Sequence, residues 1–364
     1  MKPAREVAAV MLKLGTIAFG GPAAHVALLR EEAVVKRQWV DDREFLDLFG
    51  AVSLLPGPSS TQLAIALGRR RAGWRGLAAA ALFIAPAMLI VLALAWAYTR
   101  YGSTTGGEGI LYGVEPVVVA IIVVALRDLA RTAFRRRWLV VLAAGAALAY
   151  ALGINVLVPL LVAGLVAAFD ERSARLALLA TGPVALVGDR EPGVAAVLAE
   201  FLKLGVVVFG SGYVLLAFLR ADLVEHLHWL TERQVLDAVS VGQITPGPVF
   251  TTATFVGYQL GGVPTALVAT AGIFAPSFVL VAVLERWIDA VRRSPALGRA
   301  LDGVSAAALG LMTAVTIDIA HTAIDDVLTV VLAIGALLAL LRYRVNPIAM
   351  IGLGAAVGVV HALL

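Results

Sequence analysis

Apolar residues run along this chain in long blocks, without the i, i+3, i+4 stripe of a water-facing helix or the alternation of a half-buried strand. Gly76 to Trp96 and Trp138 to Phe169 carry no charged residue. Each block is long enough to hold a bilayer-crossing helix, which takes about 20 apolar residues. The pattern predicts spans near Gly76–Tyr98, Tyr112–Ala130, Trp138–Leu152 and Val156–Phe169, and again near Pro264–Leu284, Asp302–Ala320, Val327–Leu341 and Pro347–Leu363. Ahead of each set lies the same series. A first helix ends at Phe19-Gly20-Gly21-Pro22 or Phe209-Gly210-Ser211-Gly212. An amphipathic stretch follows, Ala23 to Asp42 or Tyr213 to Glu232, the first of these read as exposed at Glu31-Glu32. Then comes an apolar segment, Phe45 to Leu67 or Val235 to Tyr258, broken by Pro-Gly-Pro.

The series is a duplication. A shift of 203 − 13 = 190 positions lays Leu12-Lys13-Leu14-Gly15 on Leu202-Lys203-Leu204-Gly205. The same shift matches Arg30, Trp39, Arg43 and Asp47 with Arg220, Trp229, Arg233 and Asp237, and Pro56-Gly57-Pro58 with Pro246-Gly247-Pro248. Thr61 then falls on Thr251, Ala85-Pro86 on Ala275-Pro276, and Asp128 on Asp318. Chance agreement between two apolar sequences would match Leu and Ala, but not Lys, Trp, Asp and Pro-Gly-Pro in one register. The sequence therefore divides into a first copy at 1–170, a linker at 171–193 and a second copy at 194–364.

Charge adds orientation. Arg69, Arg70, Arg71 and Arg75 precede the four spans of the first copy, whereas the corresponding loop Gln259 to Thr265 is uncharged. Arg127, Arg131, Arg135, Arg136 and Arg137 follow the second span of the first copy, where the second copy has Asp318, Asp325 and Asp326. Arg286, Arg292, Arg293 and Arg299 crowd a loop whose counterpart, Arg100 to Ile110, is nearly neutral, and Arg342 and Arg344 match the uncharged turn Gly153-Ile154. Basic loops stay cytoplasmic, so the two copies are expected to be inverted. The fold expected is an all-α polytopic membrane protein of two inverted-topology repeats. Each has a broken, re-entrant Pro-Gly-Pro hairpin plus about five spanning helices, the first helix crossing once, and both termini lie outside the cytoplasm.

Composition narrows the chemistry. The chain is 60% hydrophobic and 15% charged, against roughly 25% charged in soluble domains. It has no cysteine, which removes disulfides, thiol catalysis and thiolate metal sites. No phosphate-binding Gly-rich loop with Lys-Ser/Thr is present, so transport driven by nucleotide hydrolysis is not expected. Neither a cofactor, a metal site nor a nucleic-acid partner is indicated.

Inverted repeats with discontinuous helices are the mark of secondary transporters, whose site lies near the midplane where the repeats meet. A proline opening a helix leaves the next N–H groups free, and a helix N-terminus is a ready anion site. This points to Pro56, Gly57, Pro58, Ser59, Ser60, Thr61 and Gln62, with Pro246, Gly247, Pro248, Thr251 and Thr252. The alternative is a proline kink in an ordinary span. Lys13 and Lys203 lie within first helices, where a charge costs about 2.5–3.5 kcal/mol; they either attract an anion or snorkel to an interface. Gly20, Gly21, Gly210 and Ser211 either let the backbone approach a ligand or serve helix packing. His25, Glu115, Asp128 and Asp318 are proton-coupling candidates; Asp128 adjoins Arg127, whereas Asp318 has no adjacent base. Pro86 and Pro276 read as helix kinks.

These motifs resemble the chromate ion transporter (CHR) family in its long two-domain form. The resemblance rests on Phe19-Gly20-Gly21-Pro22, Trp39 with its acidic neighbours, Leu55-Pro56-Gly57-Pro58 and their second copies, and covers nearly the whole chain. It implies ion-gradient-driven efflux of chromate, a tetrahedral dianion, from a multi-pass position in the inner membrane. Sulfate or another oxyanion is the alternative substrate, the coupling ion is expected to be a proton, and a homodimer is admitted. The second copy departs from the first at Ser211-Gly212 and Val249-Phe250, so the half-sites are not expected to contribute equally. A reading from another class is an intramembrane lipid-phosphate phosphatase, which would place an Arg after Ser59; here Ser60-Thr61-Gln62 follows.

Overall fold

The computed structural model describes residues 3–19, 21–134, 136–168, 192–210, 214–284, 295–343 and 345–364. Gly20, Ser211, Gly212, Arg135, Arg286, Arg292, Arg293, Arg344 and most of the expected linker lie outside the described residues. The first copy forms α1 (Pro3–Ile17), α2 (Gly21–Arg30) running into a π-helical turn (Glu31–Lys36), α3 (Asp42–Val52), the extended pair β1 (Gly57–Pro58), α4 (Ser59–Ala79), α5 (Ala85–Tyr101), α6 (Thr105–Ala133), α7 (Arg137–Ala151) and α8 (Leu157–Ala168). The second copy forms α9 (Val194–Val207), β2 (Phe209–Gly210), α10 (Val214–Leu219) with its π-helical turn (Arg220–His226), α11 (Glu232–Ile244), α12 (Thr252–Leu284), α13 (Pro295–Ala323), α14 (Val327–Leu338) and α15 (Pro347–Leu363). Among the described residues, four helical stretches are long and apolar enough to cross a membrane: Ser59–Tyr101, Thr105–Arg131, Val249–Val283 and Gly298–Ala323. The apolar helices α7, α8, α14 and α15 are shorter.

The duplication is visible in local geometry. Arg30 pairs with Asp42 at 2.6 Å, and at the equivalent positions Arg220 pairs with Glu232 at 2.6 Å. Gln38 and His228, also equivalent, both take a left-handed φ, 50° and 51°. The Trp39 N–H donates to Ala33 O, and the Trp229 N–H to Leu223 O.

The chain folds into two compact units, each drawn from both copies. One comprises Met1–Ala95, Pro192–Gly212 and Val241–Ser294; the other comprises Trp96–Glu191, Tyr213–Ser240 and Pro295–Leu364. In the first unit, α1 and α2 are the two legs of a hairpin, because residues at the far end of α2 return to the start of α1. Glu6 accepts from the Trp39 indole N–H at 3.0 Å and pairs with Arg37 at 3.5 Å. The leg of α4 up to its bend at Ala72-Gly73 also ends there, with Arg71 on Glu6 at 2.8 Å and Arg70 on Glu44 at the start of α3. Thus α3 and the first leg of α4 form a second hairpin with its tip at Pro56-Gly57-Pro58. From Ser59 to Gly68 that leg rises about 14 Å, roughly half of a ~30 Å hydrocarbon core.

This corrects two expectations. The first helix does not cross alone, since α2 brings the chain back, and the start of α1 lies on the same side as Arg69–Arg71, not opposite it. The reason is electrostatic. Glu6 and Glu32 neutralise arginines and Lys13 that would otherwise sit unpaired beside apolar helices. The expected exposure at Glu31-Glu32 is corrected for Glu32, which is buried; in the second copy all of α10, Val214 to Leu219, is buried. The bends also differ from expectation. They fall at Ala72-Gly73 and Gly261-Gly262, while Pro276 lies inside regular helix and Pro86 stands in the first turn of α5.

In the second unit the helices pack reciprocally. The long α6 packs on α14 and α15 of the other copy, and its equivalent α13 packs on α7 and α8. Small residues make this possible, as is usual where helices meet in lipid. A Cβ on Gly113 would come 1.9 Å from Gly354 O, and one on the equivalent Gly303 would come 2.3 Å from Ala163 O. Gly113→Ala is therefore expected to destabilise the protein in detergent by about 1–3 kcal/mol through overpacking, read as a lowered melting temperature. Gly145→Ala, where the added Cβ would meet nothing within 4 Å, should leave the melting temperature unchanged.

Candidate functional site

The broken helix ends of both copies meet in the first unit. The Gly57 N–H donates to Val208 O at 2.6 Å, and the equivalent Gly247 N–H donates to Ala18 O at 2.8 Å. Since 208 − 190 = 18 and 247 − 190 = 57, the two bonds are one contact made twice. Each Pro-Gly-Pro turn is held by the residue that follows the first helix of the other copy. β1 extends this as a short parallel pairing with β2, Gly57 opposite Phe209 and Pro58 opposite Gly210.

Both central glycines are obligatory on two grounds. Gly57 has φ 111° and Gly247 φ 89°, where a side chain is strained. A Cβ at Gly57 would also lie 2.6 Å from Ser277 Oγ, and one at Gly247 would lie 2.8 Å from the Cβ of Ala87, the equivalent of Ser277. Gly15 and Gly205 serve the same junction: a Cβ there would come 2.6 Å from Phe83 O and 2.5 Å from Ile273 O. This explains the repeated Leu-Lys-Leu-Gly by close approach of α1 and α9 to the neighbouring backbone.

Around the tips a small cavity of about 10 Å³ is lined by Pro22, His25, Pro58, Ser59, Ser60, Pro248, Val249 and Phe250. It has room for about one water, so anything larger enters only when these walls separate. The start of α4 and the 3-10 turn Val249–Thr251 both open onto it. His25 bridges the tips: Nε2 lies 3.0 Å from Ala18 O and Nδ1 3.2 Å from Ser60 Oγ. A carbonyl only accepts, so Nε2 carries the proton and, in the neutral ring, Nδ1 accepts from the Ser60 hydroxyl. Gln62 donates through Nε2 to Pro56 O and to Ser277 Oγ at 3.3 Å, closing the Pro-Gly-Pro turn from inside.

The hydroxyls differ between copies. Thr61 Oγ1 is fully buried with no hydrogen-bond partner. Thr251 and Thr252 instead donate back into their own turn, to Pro248 O at 2.7 Å and Val249 O at 2.8 Å. Lys13 and Lys203 lie away from the cavity lining. Lys13 pairs with the buried Glu32 at 2.7 Å, and Lys203 with Glu200 at 2.6 Å.

The proton-coupling candidates scatter. Asp128 is exposed and 4.0 Å from Arg131. Asp318 has no base beside it in sequence, but Arg220 approaches it to 3.3 Å from a distant part of the chain. Glu115 is buried on α6 beside Arg233 and Asp237. Sequence reasoning did not assign Ser277, Asp237 or Tyr98 to a site. The repeat alignment marked Asp237 as matched with Asp47, but no spacing along the chain could bring it to Glu115.

The chromate transporter family model matches residues 5–169 and 195–359, a displacement of 195 − 5 = 190 positions that equals the shift seen within the sequence. The chain belongs to the chromate transporter family. It is 33% identical to a chromate transport protein of Cupriavidus metallidurans over 97% of this chain and 91% of that one. It is 34% identical to a chromate transport protein of Pseudomonas aeruginosa over 88% and 82% of the two chains, and 30% identical to a probable chromate transport protein of Synechococcus elongatus over 92% and 89%. No solved structure matches. The family is one of transporters, not of enzymes, and the phosphatase reading is set aside.

Gly57→Leu and Gly247→Leu are expected to break the tip junction and abolish family activity. Insertion and monodispersity should survive, since the second unit is untouched. Gel filtration alongside a transport assay separates the two effects, and Leu89→Val, on an exposed position of α5, is the control.

Proposed function

We propose that this protein is a secondary transporter of a tetrahedral oxyanion, chromate first and sulfate second, working in the inner membrane and driven by a proton gradient. The observation that carries the reading is the doubled tip junction of a chromate-transporter-family chain: two broken helix starts, one from each copy, face one cavity. The free N–H groups at Ser59 and Ser60 and the positive end of the α4 dipole favour an anion. Thr61, one residue beyond the lining of the closed cavity, has a buried hydroxyl with no competing partner, which the anion meets when the tips separate. Thr251 and Thr252 donate within their own turn, so the first copy contributes more. Lys13 and Lys203, already paired, act on the approach of the anion and not as direct ligands. The site carries no metal or cofactor chemistry in this scheme: release and capture follow from separation of the tips.

The arginine distribution supports inverted copies, with Arg69–Arg75 and Arg299 both cytoplasmic; because α1 and α2 return to the side of Arg71, the inversion requires an odd number of crossings between the end of α8 and the start of α9. The absence of native cysteine makes this directly testable. A cysteine at Ala72 should resist a membrane-impermeant thiol reagent in intact cells, while one at Gly262 should react. Equal labelling of the two would remove the inversion.

Reconstituted into proteoliposomes, the protein should exchange chromate, with sulfate competing and nitrate competing poorly, because helix starts and hydroxyls read charge and tetrahedral shape. Thr61→Val leaves a bound dianion short of one hydrogen bond, about 1.5–3 kcal/mol when the partner is charged, and should weaken affinity roughly ten- to a hundred-fold. Thr251→Val should cost much less. Normal affinity in Thr61→Val together with strong nitrate competition would turn the reading away from a dianion site at the tips.

A further inference from the structure

The second unit holds two buried carboxyl groups that the oxyanion site does not use. Glu115, on α6, is 2% exposed and Asp237, on α11, is 1% exposed. The two side chains are electrostatic neighbours, and both face Arg233, which stands one helical turn before Asp237 on α11. Arg233 Nε donates to Glu115 Oε1 at 3.3 Å, and the Tyr98 hydroxyl donates to Asp237 Oδ2 at 2.7 Å. Asp237 Oδ1 is buried and has no donor other than what Glu115 could offer. Two neighbouring buried carboxylates repel, and a proton held between them relieves that repulsion and gives Asp237 Oδ1 the donor it lacks. The charge balance requires the same. With both acids ionised, one guanidinium leaves a net −1 in a buried place, whereas one bound proton brings the group to neutrality.

The charged and titratable groups on the neighbouring elements do not supply that missing charge; on α5, Arg100 stands two residues beyond Tyr98 and is exposed. On α6, Glu108 lies two turns before Glu115, Tyr112 donates to Asp326 at 2.5 Å, and Arg127, Asp128 and Arg131 stand at the far end. From α15, His361 stacks on Tyr112 at 4.9 Å. The start of α14 brings Asp325 and Asp326, both acidic, and the turn after it brings Arg342, which lies over Tyr343. On α13, Asp302 lies in the first turns, His321 in the last, and Asp318 is held with Glu232 by Arg220. An open cavity of about 780 Å³ adjoins Asp237, with Tyr98 and Arg233 also in its lining.

We propose that Glu115 and Asp237 share a single exchangeable proton and form the proton-carrying site of the transport cycle, with Arg233 and Tyr98 as positioning residues. Tyr98 holds Asp237 Oδ2, leaving Oδ1 free to face Glu115. Arg233 keeps the pair from needing two protons at once. The role in transport rests on the oxyanion reading above; the shared proton does not.

The test has two arms. In proteoliposomes, chromate exchange without a gradient is compared with chromate accumulation under an imposed pH gradient, for wild type, Glu115→Gln and Asp237→Asn. Each variant should exchange chromate within about twofold of wild type and lose accumulation at least tenfold. Wild-type-like accumulation in both variants, or wild-type accumulation that follows a sodium gradient instead, would overturn the proposal. The second arm uses purified protein in detergent and needs no transported ion. Infrared spectroscopy at neutral pH should show the carbonyl band of a protonated carboxyl that disappears in Glu115→Gln. Loss of chromate exchange in wild type with this band intact would sink only the oxyanion reading, whereas absence of the band from wild type would sink the shared proton.

Discussion

Two backbone hydrogen bonds, Gly57 N–H to Val208 O and Gly247 N–H to Ala18 O, are what the interior of the first unit depends on. Broken helix ends in apolar surroundings leave N–H and C=O groups that no water satisfies, and each costs several kcal/mol if left bare. Here the two copies satisfy one another. Neither Pro-Gly-Pro turn could persist at depth in a single copy, because its partner carbonyl belongs to the other. A second copy is therefore a structural requirement of the site.

The same constraint shapes the side chains nearby. Glycine at 57 and 247 follows from the turn conformation and from the atoms that would meet a Cβ. His25 adds a second donor to Ala18 O and orients Ser60, so one residue of the first copy fixes both tips. Leu215 stands at the equivalent place and can do neither, which makes the pair of half-sites unequal. Thr61 and Thr251 show the same divergence: identical residues, one with an unclaimed hydroxyl and one whose hydroxyl caps its own turn.

Electrostatics organises the rest. Charged residues in this chain are few, and several are matched between separate helices: Glu6 with Arg71, Lys13 with the buried Glu32, Arg220 with Glu232 and Asp318. Such pairs reveal little about stability, since desolvation offsets most of the attraction, but they fix which helix ends lie together. The Glu115–Asp237 pair is the exception. Its two acids face one guanidinium, and that imbalance is the reason to look there for the driving ion.

Much was legible along the chain. The length of the apolar blocks, the shift of 190 positions, the hairpin at Pro-Gly-Pro and the glycines at its centre all follow from local pattern, because hydropathy and backbone shape are properties of neighbouring residues. The tertiary structure decided what neighbours in sequence could not. It turned α1 and α2 into a hairpin instead of a crossing helix, buried Glu32, and gave Asp318 the arginine it lacks in sequence. It also brought Asp237 to Glu115 across more than a hundred positions. Each of these rests on a contact between copies or between distant helices. Charge matching and backbone satisfaction in an apolar interior are settled by what lies alongside in space.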